Sequence, residues 1–171
     1  MKKNYADDFS QISAAFDASP FFSVPSELSN PQSAGEVARL LAEANARRQA
    51  VGFRAAGTSL CGQSITHGMQ ISIMKAFGNF SVENGGAIFR AEPAVRGAIA
   101  NRALAKFGKR FPADPASIAH CTIGGITANN SSGMNSGVVW NPYHTIQEAK
   151  YILPDGTQID SCPAAPNNIR S

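Results

Sequence analysis

The residues with chemical capacity gather in two glycine-punctuated segments. The first is Arg54-Ala55-Ala56-Gly57-Thr58-Ser59-Leu60-Cys61-Gly62-Gln63. The second is Thr122-Ile123-Gly124-Gly125-Ile126-Thr127-Ala128-Asn129-Asn130-Ser131-Ser132-Gly133. Loops of this kind expose backbone N–H groups that form concave nests for phosphate oxygens. Gly57 suits a positive φ and lets backbone approach a ligand. Thr58 and Ser59 add hydroxyl donors, and Arg54 either supplies charge or pairs with an acidic side chain. Gly124-Gly125 removes two side chains in succession, which suits close approach by something flat or by another backbone. Asn129, Asn130, Ser131 and Ser132 then place donors and acceptors side by side. Taken singly, the first segment is equally well a tight strand-to-strand connection. Taken together, the two suggest one ligand held between them, with a diphosphate at one and a flat ring at the other.

Other chemistries fit poorly. A P-loop ends in Gly-Lys-Ser or Gly-Lys-Thr, whereas Gly62 is followed by Gln63. A Rossmann turn needs Gly-x-Gly-x-x-Gly, and only Gly57 and Gly62 are present. Cys61, Cys121 and Cys162 form no Cys-x-x-Cys pair, so no zinc or iron–sulfur site is legible. An odd cysteine count argues against a disulfide framework and for a reducing compartment. Cys61 and Cys121 read as small residues filling space. His67, His120 and His144 are far apart, read as structural or surface residues, and suggest no metal site. Phe111-Pro112-Ala113-Asp114-Pro115 is a stiff corner in which prolines fix φ, and Asp114 is either a turn residue or a ligand contact.

These segments need elements to position them. Residues 7–18 read as a short helix with Phe9, Ile12 and Phe16 on one face. Residues 19–32, with Pro20, Pro25 and Pro31, read as an extended lead-in. Ser33-Ala34-Gly35-Glu36 is a capping-box signature. It opens a helix to about Arg48, with Val37, Leu40, Leu41 and Ala44 buried. Strands are expected at 50–53 and 69–73, and a hairpin at 80–83 and 87–91 around Asn84-Gly85-Gly86. A helix from Val95 to Phe107 carries Val95, Ile99, Ala103 and Phe107, and Gly108 stops it. Residues 109–145 show little regular structure, which in an ordered domain marks function. A hairpin over 146–153 and 157–160 follows, then a loose end at 162–171.

Composition bounds the rest. The chain has 171 residues, 43% hydrophobic and 16% charged, enough for one domain with a core. The net charge is +3, from 15 basic and 12 acidic residues. The basic residues are scattered, without the dense stripe and aromatic platforms of a nucleic-acid binder. Met1-Lys2-Lys3 lacks the apolar stretch of a signal peptide, and no apolar run is long enough to span a membrane. The element order suggests a mixed α+β domain.

In combination the motifs acquire a family likeness. Arg54 to Gln63, Pro112-Ala113-Asp114-Pro115, Thr122-Ile123-Gly124-Gly125, Asn129 to Gly133 and Leu153-Pro154-Asp155-Gly156-Thr157 occur in a familiar order. The chain resembles the FAD-binding domain of FAD-linked oxidases, the vanillyl-alcohol-oxidase or p-cresol-methylhydroxylase type. Phe16-Asp17-Ala18-Ser19-Pro20 and Pro31 to Val37 resemble the lead-in of its D-lactate dehydrogenase and glycolate oxidase branch. The resemblance runs over residues 16–161. It implies an α+β fold of two lobes with FAD between them, the second lobe incomplete here. The implied division is a lead-in over 1–30, a partial FAD-binding domain over 31–161 and a flexible tail over 162–171.

By that resemblance Ala55, Ala56, Gly57, Thr58, Ser59, Gly62 and Gln63 hold the FAD diphosphate. Pro112, Asp114, Thr122, Gly124, Gly125, Asn129, Ser132 and Gly133 line the ribityl and isoalloxazine region. The implied chemistry is oxidation of a 2-hydroxy acid to a 2-oxo acid. A hydride leaves substrate C2 for flavin N5, and a base takes the hydroxyl proton. The flavin carries the redox chemistry and the protein positions it.

Four departures stand out. Ala55-Ala56 replaces the usual glycines. The run Val138-Val139-Trp140-Asn141-Pro142-Tyr143-His144 lacks a tyrosine–glycine step found in many relatives. Thr58 stands where some covalent flavoproteins place histidine, which implies non-covalent FAD. Relatives also continue into a substrate cap that carries the catalytic base and a substrate-binding arginine. The chain is therefore expected to be a fragment or truncated product, inactive alone, of a cytoplasmic flavoenzyme with a small 2-hydroxy-acid substrate and an electron acceptor. A non-catalytic nucleotide-binding or interaction module, and a same-fold flavoenzyme with other chemistry, are the alternative readings.

Overall fold

The computed structural model describes residues 5–161, so the expected loose end at 162–171 lies outside the described residues. The first element is helix α1, Tyr5–Ala14. It ends four residues before the expected boundary, because the chain folds back on itself there. Phe16 bridges Phe22, and Ser23 N–H donates to the Ala15 carbonyl at 3.1 Å. The expected apolar face does not face a core. Phe9, Ile12 and Phe16 are exposed, while the small residues Ala14 and Ala15 are buried.

A three-stranded parallel sheet follows, in the order β1-β3-β2, from β1 Glu27–Ser29, β2 Val51–Arg54 and β3 Met69–Ser72. β1 falls inside the expected extended lead-in. Three residues flanked by prolines carry too little alternation to read as a strand, and only pairing with β3 makes them one. Met69, Gln70 and Ile71 of β3 are all buried, as befits a central strand covered on both faces.

Helix α2, Ala34–Ala46, connects β1 to β2 and covers one sheet face. Its start matches the capping signature. Ser33 Oγ accepts from Glu36 N–H at 3.2 Å, and the Glu36 carboxylate accepts from Gln32 N–H at 2.8 Å. Val37, Leu40, Leu41 and Ala44 are buried as expected, and they pack with Met69 and Ile71, joined by Val51, Phe77 and Ile152.

The second half of the domain begins with the antiparallel pair β4 Phe80–Glu83 and β5 Ile88–Ala91. Their turn puts Asn84, Gly85 and Gly86 at φ 50°, 61° and 82°, which asparagine and glycine tolerate. Helix α3 spans Gly97–Ala105, shorter than expected, and buries Gly97, Ala100 and Leu104. Val95 is buried just ahead of the helix, but Ile99 and Phe107 are exposed. The packing face is the one with small residues because Gly97 lies against Ile118.

The long stretch expected to be irregular contains α4, Ile123–Ala128, and α5, Pro142–Thr145. A small second core joins Ala113, Cys121 and Ile126 with Phe111, Ile118 and Ile123. The final hairpin, β6 Lys150–Ile152 and β7 Gln158–Asp160, is shorter than expected and returns Ile152 to the α2 core. Truncating Ile71, central in the first core, to alanine should cost about 2–5 kcal/mol. Urea unfolding of Ile71→Ala against the parent measures it.

Candidate functional site

The first glycine-rich segment leaves β2 as an irregular loop. Its inner turn winds around the Ser59 hydroxyl, which accepts from Cys61 N–H and Gln63 N–H, each at 3.1 Å. Gly57 and Gly62 sit at φ 67° and 73°, so the turn uses the conformation that glycine allows. Ala55 and Ala56 are half-buried at negative φ and are accommodated without strain. Among the described residues, no backbone N–H of residues 56–60 donates a hydrogen bond, and the Thr58 hydroxyl has no partner. A row of unpaired donors in a half-buried loop is a donor set suited to phosphate oxygens. Cys61 is exposed, so it is not the space-filler expected there.

The loop is clamped from the N-terminal side. Ala18 N–H donates to the Gly57 carbonyl at 3.0 Å, and Arg54 Nη1 donates to the Phe16 carbonyl at 2.6 Å. The Asp17 carboxylate accepts from Ser19 N–H and from Ser64 Oγ, both at 2.9 Å. Burial pushes this carboxyl up, but the Ser19 and Ser64 hydrogen bonds outweigh it and hold it below 3.8. Asp17 and Ser64 were not among the expected site residues. The aspartate followed two residues later by a serine is an Asx-turn pattern that points to Asp17, whereas no local pattern points to Ser64.

The second segment opens as a helix, not a loop. Thr122 is 1% exposed and caps α4, its Oγ1 accepting from Gly125 N–H at 3.4 Å. Ile123 N–H donates to the Val95 carbonyl and Gly124 N–H to the Pro93 carbonyl, which pins the helix start beside residues 93–97. A Cβ on Gly124 would lie 2.5 Å from Pro93 Cβ, so this glycine admits another backbone rather than a flat ligand. Gly125 is exposed and open. Cys121 is buried, and burial raises its thiol pKa, in keeping with a packing role.

Beyond α4 the polar residues form connected pairs. Gln63 Nε2 donates to Asn129 Oδ1 at 2.7 Å and so joins the two glycine-rich segments. Asn129 Nδ2 in turn donates to Ser131 Oγ at 3.0 Å. Asn130, at φ 45°, accepts from Tyr143 N–H at 3.1 Å. Asp114 is held by Asn135 Nδ2 at 2.6 Å and Ser136 N–H at 3.1 Å, and these bonds set its pKa below 3.8. Gly133 packs so closely on the Asp114 carbonyl that no Cβ fits between them. Asn135 and Ser136 were missed, since nothing in their spacing separates them from ordinary turn residues. Ser132 is exposed, and Pro112 lines a separate cavity of about 220 Å³ with Arg110 and Trp140. The loop around Gly57, α4 with Asn129, and the Asp114–Gly133 corner are thus linked in series, with Pro112 and Ser132 beside them.

Comparison with known proteins fits this arrangement. A family model described as FAD binding domain matches residues 25–161, and the chain belongs to that family. Its cofactor is FAD. The glycolate oxidase subunit GlcD of Bacillus subtilis (strain 168) is 28% identical over 123 residues, covering 70% of this chain and 26% of that protein. An alkyldihydroxyacetonephosphate synthase structure superposes with a TM-score of 0.77 at 20% identity, over 95% of this chain and 33% of that one. The 6-hydroxy-D-nicotine oxidase of Arthrobacter nicotinovorans gives 0.77 at 18% identity, over 92% and 34%. These structures establish the fold, a partial p-cresol-methylhydroxylase-type FAD-binding domain. The chain spans about a quarter of the length of the glycolate oxidase subunit it matches. Among the described residues no helix is long and apolar enough to cross a membrane.

The Asp114–Gly133 corner yields two expectations. Gly133→Ala should destabilise the domain by about 1–3 kcal/mol, since the new methyl meets backbone rather than a flexible side chain. Denaturant melts would measure it. Asp114 has a lower pKa folded than unfolded, so its contribution is complete above pH 3.8 and lost as pH falls through the folded value. The parent should therefore be more stable than Asp114→Asn at neutral pH, with the gap closing below pH 3.8 in thermal melts across the acid range.

Proposed function

We propose that the chain holds FAD non-covalently, as the cofactor-binding part of a flavin-dependent oxidoreductase that converts a 2-hydroxy acid to a 2-oxo acid. The carrying observation is the row of unpaired N–H groups at residues 56–60, joined through Gln63 to Asn129 in the second segment. In this reading Ala55, Ala56, Gly57, Thr58, Ser59, Gly62 and Gln63 take the diphosphate. Pro112, Gly125, Asn129, Ser132 and Gly133 lie along the ribityl chain and ring, with Asp114, Thr122 and Gly124 behind them. The role of Thr122 and Gly124 is to place the start of α4, and that of Asp114 is to fix the Gly133 corner. Bound FAD supplies a two-electron acceptor for alcohol oxidation.

The substrate class rests on the resemblance of the lead-in and on the glycolate oxidase relative. Non-covalent attachment rests on Thr58 at the position of the linking histidine in covalent relatives. The small-molecule substrate and the electron acceptor belong to the function of a longer protein. The catalytic base and substrate-binding arginine of the family have no counterpart among the motifs of this chain.

Calorimetric titration of the purified chain should show saturable FAD binding, with FMN, which lacks the diphosphate linkage, binding more weakly. Acid precipitation should release all flavin into solution. Gln63→Ala should weaken FAD by about two- to tenfold, the worth of one hydrogen bond, with little change in melting temperature. A folded sample that ignores FAD would overturn the reading. Bound flavin should stay oxidised when glycolate or D-lactate is added to this chain alone.

A further inference from the structure

A second polar cavity, of about 260 Å³, lies at the carboxyl ends of the three parallel strands, beneath α1. Ser29 ends β1, Arg54 ends β2 and Ser72 ends β3, and all three line it with Asn30, Gln70 and Lys75. The carboxyl edge of a parallel sheet is where α/β folds gather ligands. Apart from Arg54, none of the lining residues belongs to either glycine-rich segment.

The lining has a definite chemical sense. Among the described residues it contains two cations, several hydroxyl and amide groups and no carboxylate. Among the described residues neither Arg54 nor Lys75 forms an ion pair. Gln70 adds a further requirement. It is 1% exposed, and its Nε2 donates to the Ala14 carbonyl at 3.0 Å and the Ser64 carbonyl at 2.9 Å. That pairing fixes which end of the amide is nitrogen, because the reverse orientation would set oxygen against two carbonyls. Its Oε1 accepts nothing among the described residues. That oxygen is not sealed from solvent, so it stands open to a donor in the cavity.

We propose that this cavity binds a small hydroxylated anion, its carboxylate or phosphate between Arg54 and Lys75 and its hydroxyl donating to Gln70. Arg54 also lies beside Gly57, whose Cβ would fall 2.8 Å from Arg54 Nη2. The anion site and the first glycine-rich loop therefore share one guanidinium, and an occupant of one bears on the other. Binding itself requires no flavin, so it stands or falls separately from the FAD reading.

The test is amide NMR of the flavin-free chain titrated separately with glycolate, acetate and inorganic phosphate. Saturable shifts are expected at Ser29, Asn30, Ser72 and Lys75, and the stronger of glycolate and phosphate names the anion. Glycolate should bind about two- to tenfold tighter than acetate, which has the charge without the hydroxyl. Lys75 is exposed, so its replacement leaves the fold intact. Lys75→Glu should lower affinity about tenfold or more, and Lys75→Arg should retain it. Shifts confined to residues 55–63, or unchanged affinity in Lys75→Glu, would overturn the site. Equal affinity for acetate and glycolate would overturn the role of Gln70.

Discussion

The central strand β3 is the constraint on which the first lobe depends. It is hydrogen-bonded on both edges, to β1 and β2, and covered on both faces. Its two apolar side chains, Met69 and Ile71, face the α2 core. Its one buried polar side chain, Gln70, points the other way by the alternation of a strand. There it binds two backbone carbonyls, one at the end of α1 and one just past the first glycine-rich loop. A buried amide must find partners. Gln70 finds them by fixing the lead-in and the loop relative to the sheet. The loop that departs from β2 is thus anchored at its far end by the neighbouring strand.

The two cores stay separate, one built on α2 and β3 and the other around Ile126. The direct polar link between the glycine-rich segments is the exposed Gln63–Asn129 pair. A hydrogen bond of that kind contributes only about 0.5–1.5 kcal/mol. A cofactor bound to both segments would add far more cohesion, since a ligand that binds only the folded form stabilises it by mass action. The short polar link and the unpaired donors of residues 56–60 suit a domain completed by its ligand.

Much of the candidate site was legible because it depends on residue type over short distances. Ser33 and Glu36 cap α2 locally, and the Asn84-Gly85-Gly86 turn follows from tolerance of positive φ. The two glycine-rich segments stood out for the same reason. Faces of helices were less legible. Phe9, Ile12, Ile99 and Phe107 are large and apolar, so they read as core, yet they lie exposed. Close approach decides those faces, and the small residues Ala14, Ala15, Gly97 and Ala100 permit it. The six-residue helix α4 was hidden by two glycines that disfavour helix on propensity alone. Packing on Pro93 overrides that preference.

The sequence by itself determined the family, the α+β class and most of the order of elements. These follow from local conformational preference and from motif order, which need no knowledge of distant partners. Tertiary structure alone decided that β1 is a strand, that Asp17 and Ser64 clamp the first loop, and that Asp114 is tied to Asn135 and Ser136. It also brought Arg54, Gln70 and Lys75 around one cavity. Each of these rests on groups far apart in the chain, whose meeting is set by strand pairing and close packing rather than by any local pattern.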